Sequence, residues 1–441
     1  MDNVSSQPEG AAPQKALPLG AFALVLHTHL PYCRRAGRWP HGEEWLHEAL
    51  AETYLPLLEA FYDLWEQGVA FRLTINLTPI LVEQLADEDV KANFETFLES
   101  EMQAAREDYA RFAAVGDAQR QALAGYYLDF YGRVRAAFVE RFGRDVVGAF
   151  RRLQDAGYLE VITCAATHGY LPLLSRDSSI YGQLKTAVAS YQRHFGRAPR
   201  GIWLPECAYR PAKQDADGLW RPGLEEFLAG LGLRCFFVET KTILGSQALT
   251  TEAEDLPIGP YGEAEKRYRV AVGRGTASVG TIYAPYFVAG RDGQLTEPPV
   301  AVIGRNERTG MQVWAAAWGY PGDADYREFH RKDEHSGLQY WRVSGPQVDL
   351  GAKDLYHPEW AAGKVAQHAR HFAGLVTDLL QEYHARTGEY GLISSNYDTE
   401  LFGHWWFEGV EWIKQVLAAL AADERVALTT ACEFLAQHPP K

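Results

Sequence analysis

Five cysteines in 441 residues are few, and none is placed to pair. Cys33, Cys164, Cys207, Cys235 and Cys432 are odd in number, widely spaced and form no CxxC. This excludes a disulfide framework and zinc-knuckle spacing, and fits buried thiols in a reducing compartment, with a cytoplasmic location. Positive charge is also scarce: 43 Lys and Arg stand against 57 Asp and Glu, a net charge of -14. Nucleic acids and anionic membranes are bound through cationic side chains, so neither is an expected partner; neutral substrates are. No apolar run is long enough to span a bilayer. Leu17 to Leu26 is apolar but holds Pro18 and Gly20 and follows no convincing basic region or cleavage site. It is read as a first strand, not a signal peptide. Residues 1–18 read as a disordered leader, and no internal repeat is visible.

What is present is a hydrophobic content of 47%, enough for a large core, with 12 Trp and 23 Tyr. So many rings mean stacking surfaces for flat or sugar-like ligands, or a well-filled core. The strand Phe22 to Leu26 ends at His27-Thr28-His29-Leu30-Pro31-Tyr32. Positions i and i+2 of a strand share a face, so the two histidines converge. They could be core-edge hydrogen-bonding groups, or two ligands of a metal as in a polysaccharide deacetylase, which would need a third. Trp39 sits in a Pro- and Gly-containing loop, as a stacking platform or a plug. Leu46 to Leu64 has helical spacing, Phe71 to Leu77 alternates as a strand, and Thr78-Pro79 starts a helix. This strand–helix alternation predicts a parallel sheet.

Between 83 and 153 no strand signal remains, which predicts a helical insertion. Tyr158 to Thr163 resumes the strand pattern and leads to Ala166-Thr167-His168-Gly169-Tyr170. The stretch Gly201-Ile202-Trp203-Leu204-Pro205-Glu206 reads as a buried strand delivering a carboxylate into a cleft, where barrel enzymes carry catalytic residues. Taken alone, such a Glu is more often a cap or a surface acid. Residues 234–238 form another strand. The Gly-, Thr- and Pro-rich interval 240–299, with Tyr261 among glycines, reads as a lid or binding loop. Strands are predicted at 300–303, ending at Arg305, at Gln312–Trp314, and at 391–395. The last runs into Asn396-Tyr397-Asp398-Thr399-Glu400-Leu401-Phe402-Gly403-His404-Trp405-Trp406.

Glu206 and Asp398 thus stand at strand ends among His and Trp. A carboxylate pair ringed by such groups suits glycoside chemistry, one as nucleophile and one as acid/base, with His and Arg binding hydroxyls and keeping the nucleophile ionised. The segments 27–32, 166–170, 203–206 and 397–406 occur in the order found in glycoside hydrolase family 57, and the chain resembles that family from Phe22 onward. Within it, the chain is similar to the 1,4-α-glucan branching enzymes. The resemblance implies an α/β fold, an incomplete (β/α)7 barrel with a helical insertion and C-terminal helices. The barrel would take 19–90 and 154–404, the insertion 91–153, and a closing helical segment 405–441.

It further implies Glu206 as nucleophile and Asp398 as general acid/base, their carboxyl groups about 5–5.5 Å apart as retention requires. His27, His29, His168, Arg305, Trp314 and His404 would line the donor side, and Trp405 would also bind substrate. Trp39 would lie near the cleft, and Tyr261 would sit on a mobile loop favouring sugar acceptors over water. The substrate would be an α-glucan such as amylose or glycogen, in glycogen metabolism, with no cofactor and no metal. Branching members commonly continue into a further helical domain, whereas this sequence ends at Lys441. A mainly hydrolytic α-amylase-like enzyme and a glucan-binding protein without turnover are therefore expected alternatives, and the His27–His29 pair keeps a metal-dependent deacetylase as another. Oligomeric state is not legible.

Overall fold

The computed structural model describes residues 17–37, 42–245, 259–260, 280–315 and 318–440, and the backbone of 253–257 and 267–271. Six strands carry the sheet: β1 (Gly20–Thr28), β2 (Leu73–Leu77), β3 (Leu159–Ile162), β4 (Cys235–Val238), β5 (Ala301–Gly304) and β6 (Gly391–Asp398). Their residues are buried apart from Asp398. Near-continuous apolar strands are what a parallel sheet covered on both faces requires.

The order β6–β1–β2–β3 is parallel throughout. Beyond β3, Thr163 bridges Ile202 and Gly201 bridges Cys235, so residues 201–202 occupy a strand position before β4. β4 then pairs with β5, also parallel. No ladder joins β5 to β6 among the described residues; a backbone bond from Asn306 N to Ser394 O, 2.8 Å, spans the gap. Seven parallel strand positions around a broken ring make an incomplete (β/α)7 barrel.

The period of two along β1 divides the core. Phe22, Leu24 and Leu26 belong to the large cluster under the helices, while Ala21, Ala23 and Val25 meet Trp203, Phe237 and Ile303 in a smaller one. The smaller cluster fills the barrel interior, as small barrels demand. Helix Ala431–Gln437 adds Cys432 and Phe434 to it, beside the start of β4, where Cys432 Sγ lies 3.5 Å from Cys235 Sγ. That end is plugged. His27 continues the interior-facing parity of β1 at the other rim.

Residues 88–136 fold as two antiparallel helices, Glu88–Ala114 and Ala118–Ala136. The Asp87 carboxylate accepts from Asp89 N and Val90 N, and that of Asp117 from Arg120 N, capping each helix start. Helix Pro358–Thr387 ends on Gly388 at φ 70°, a left-handed cap that glycine takes without cost.

Three expectations change. Gln312–Trp314 is not a strand but the last turn of helix Glu307–Trp314, nucleated by the Asn306 side chain accepting from Thr309 N. A three-residue segment cannot show its period, and the cap decided. The interval 240–299, read as a lid, a binding loop or a partly disordered stretch, has regular backbone structure in its described part. Helix Thr240–Leu244, a hairpin of 253–257 with 267–271, and Tyr286–Phe287 antiparallel to β5 use its backbone bonds. The segment after 405 is not purely helical, because Val426–Leu428 pairs in parallel with Gly20–Phe22.

Candidate active site

Parallel strands bring all their C-terminal ends to one rim, and there a cleft of about 640 Å³ opens. It gathers Glu206, Asp398, His27, His29, His168, Arg305, Trp314, His404 and Trp405. Trp39 and Tyr261 lie outside the described residues.

Glu206 arrives on a tight turn. Trp203 N donates to Thr163 O at 2.8 Å, Pro205 opens a 3-10 turn, and the chain then reverses. Glu206 (φ 58°) and Cys207 (φ 53°) both take the left-handed conformation, and so does His168 (φ 55°) on the neighbouring strand end. For residues with a Cβ this costs roughly 1–3 kcal/mol each, and it persists where surrounding structure over-determines it, commonly at functional sites. The turn leaves the Glu206 side chain exposed to the cleft.

Asp398 comes by a different route. The β1–β6 register pairs His27 with Asp398. Its carboxyl opens onto the cleft, yet protein surrounds it enough to matter. Burial first, and the Glu206 charge second, push its pKa up to about 6 against the opposing Arg305. Arg305 is held in turn by Glu239 at 2.7 Å and by Asn396 O at 3.1 Å.

The three histidines form a stack. His29 and His168 rings are 3.9 Å apart at 12°, and His27 lies 4.8 Å from Trp203 at 10°. The tautomers follow from Asn76. Its Nδ2 donates to Ile162 O and Thr163 O, so its Oδ1 must accept from His27 Nδ1 at 2.7 Å. His27 Nε2 is then the acceptor, and His168 Nε2 donates to it at 3.1 Å. Both His27 nitrogens are therefore committed within the protein. Burial and mutual repulsion lower His27 and hold His29 at about 3; burial lowers His168 against the pull of Glu206. The lowered values favour the neutral form of all three rings, and Arg305 brings a permanent cation to the cleft lining. No group of three or more His, Cys, Asp or Glu among the described residues is arranged to hold a metal ion.

His404 depends on an irregular helix. Residues 43–66 are helical, but Leu50–Tyr54 widens into a π-turn. Pro56 explains it: a proline inside a helix has no N–H to donate and its ring clashes with the carbonyl four residues back, here Glu52 O. Such π-turns gather at functional sites. From this one, Glu52 Oε2 accepts from His404 Nδ1 at 3.1 Å and Thr53 Oγ1 accepts from His404 N at 3.2 Å. Arg327 Nη1 binds the other Glu52 oxygen at 2.9 Å and, with His404, holds that carboxyl below its usual range despite burial. The 403 loop sits tightly on the turn: Gly403 has φ 103°, and a Cβ there would lie 1.9 Å from Glu52 O. Gly403→Ala is accordingly expected to destabilise the fold by about 3 kcal/mol or more, measured by denaturant unfolding.

Several cleft residues were not singled out from sequence: Glu400, Glu239 and Trp45 line it beside the anticipated Trp203, while Asn76 and Glu52 support it. Glu400 had a signal, standing two residues beyond Asp398. Glu52 had one too, the Pro56 four residues downstream. Asn76 had none, because its partners come from other strands.

The model of glycosyl hydrolase family 57 matches residues 23–441. A 1,4-alpha-glucan branching enzyme of Thermococcus kodakarensis is 46% identical over 410 residues, 91% of this chain. The chain spans 55% of that curated relative's length. The crystal structure of that organism's family 57 branching enzyme superposes with a TM-score of 0.82 at 44% identity, covering 96% of this chain and 72% of that one. An alpha-amylase from Thermotoga maritima superposes with a TM-score of 0.76 at 28% identity, covering 95% and 74%. With the family model matched across nearly its whole length, and strand ends that bring the separated motifs to one rim, this chain belongs to glycosyl hydrolase family 57.

Proposed function

We propose that the chain acts on α-glucans with retention, as a 1,4-α-glucan branching enzyme. It moves an α-1,4-linked chain from a donor such as amylose onto a 6-hydroxyl of an acceptor such as glycogen. The observation that carries this reading is the carboxyl pair: Glu206 on its strained turn faces the cleft beside Asp398, and Asp398 is pushed up to about 6. A double displacement needs a nucleophilic carboxylate and a second carboxyl whose surroundings favour its protonated form, as those of Asp398 do. Glu206 attacks the anomeric carbon and forms the glycosyl–enzyme bond. Protonated Asp398 gives its proton to the departing glycosidic oxygen, then takes one from the incoming hydroxyl. Arg305, between Glu239 and Asn396 O, offsets charge beside Asp398. Trp314 and the half-exposed Trp405 offer faces for sugar rings.

That relatives are named branching enzymes supports reading transfer rather than hydrolysis here, with a role in glycogen biosynthesis in the cytoplasm. No helix among the described residues is long and apolar enough to cross a membrane. The test is incubation with amylose, following reducing ends and isoamylase-releasable branches together. New branches with few new reducing ends are expected. Reducing ends alone would replace transfer with hydrolysis, and the absence of both products would overturn the reading.

A further inference from the structure

A third carboxyl stands in the cleft without a part in the double displacement. Glu400 follows the end of β6 by two residues and is 8% exposed. Two elements hold it from different directions. From the π-turn, the Tyr54 hydroxyl donates to Glu400 Oε1 at 2.5 Å; from the end of β1, the His29 backbone N–H donates to the same oxygen at 3.1 Å. Tyr54 is itself completely buried, so this hydroxyl has no water to turn to. Both donors converge on Oε1, which leaves Oε2 outside that clamp, on a residue that lines the cleft.

This is a built arrangement rather than an incidental acid. A buried carboxyl is costly unless hydrogen-bonded. Here one oxygen is clamped by two donors on a residue that lines the cleft together with His29 and Asp398. The π-turn that supports His404 through Glu52 thus supports Glu400 through Tyr54, two residues later on the same widened turn.

We propose that Glu400 is a further substrate-contacting residue, whose Oε2 hydrogen-bonds a hydroxyl of the glucose ring seated beside His29, and that Tyr54 is the positioning residue that aims it. The inference rests on the α-glucan reading above. Burial, aided by the Asp398 charge, pushes Glu400 up to about 8 against the Tyr54 and His29 donors. A neutral carboxyl can both donate to and accept from a sugar hydroxyl. A glutamine at this position keeps both capacities, and a leucine keeps neither.

The experiment is calorimetric binding of maltotriose to Glu206→Gln protein, alone and combined with Glu400→Gln, Glu400→Leu or Tyr54→Phe. Glu400→Leu is expected to weaken Kd by about 10–100-fold, the size of a hydrogen bond lost from a desolvated polar pair. Glu400→Gln should stay within about 5-fold, and Tyr54→Phe should fall between, at about 3–10-fold. An unchanged Kd in Glu400→Leu, with melting like that of its parent, overturns the inference alone. If Glu400→Leu does not fold, Tyr54→Phe decides, and an unchanged Kd there overturns it. Failure of the Glu206→Gln parent to bind maltotriose overturns the α-glucan reading and this inference with it.

Discussion

Glu206→Gln is expected to lower turnover of amylose by roughly 10⁴-fold or more, the scale seen when a covalent nucleophile is removed. The amide keeps the shape of the side chain but cannot form the glycosyl–enzyme bond. The turn itself should persist. Its geometry is set by backbone bonds, Cys207 N to Leu204 O at 2.8 Å and Ala208 N to Pro205 O at 3.1 Å, and not by the side chain, which is exposed to the cleft. The measurement is the initial rate of branch and reducing-end formation, with a melting curve beside it. A variant that retains more than a few per cent of wild-type rate would remove Glu206 from the nucleophile's role. A second consequence is local. Glu206 is the larger of the two charge effects on Asp398, so the variant is expected to lower the Asp398 pKa, read by carboxyl NMR titration.

Asp398→Asn is expected to cost about 10²–10⁴ in kcat, the range of general acid–base catalysis. Wild-type kcat/KM should decline as pH rises through about 6, because the free enzyme must carry a proton on Asp398 to begin. The Asn variant's residual rate should lose that limb. Stability supplies an independent check. The folded pKa lies above the ordinary 3.8. Its stabilising contribution is therefore complete below 3.8 and is lost as pH rises through 6. Ionised Asp398 thus burdens the fold at neutral pH, and Asn relieves it. The variant should melt above wild type at pH 8 and level with it at pH 4. Equal melting at pH 8 would mean that Asp398 is not held in the raised state, and the acid/base assignment would fall with it.

Much of the barrel was legible in the sequence because its strands announce themselves. Phe22 to Leu26, 158–163 and 391–395 are apolar runs bounded by punctuation, and a parallel sheet buried on both faces can be written no other way. The pairing of strand end with chemistry was legible too, since His27-Thr28-His29, Glu206 and Asp398 each follow such a run directly. Short segments without a period were not. Gln312–Trp314 has the composition of a strand, and only the Asn306 cap makes it helix. The π-turn at Leu50–Tyr54 left one mark, Pro56, which could equally have kinked or ended the helix.

The sequence by itself determined the fold class, the family and the residues that reach the rim, because side-chain period and strand punctuation are local properties. Charge states and partners belonged to tertiary structure. Whether His27 is a ligand or a committed hydrogen-bond partner depended on Asn76 from β2 and His168 from beyond β3. Whether Asp398 carries a proton depended on Glu206 and Arg305, distant in the chain. Glu400 became part of the site only when Tyr54, 346 positions away, reached it. Electrostatic free energy depends on separation in space and on burial, and neither is written along the chain.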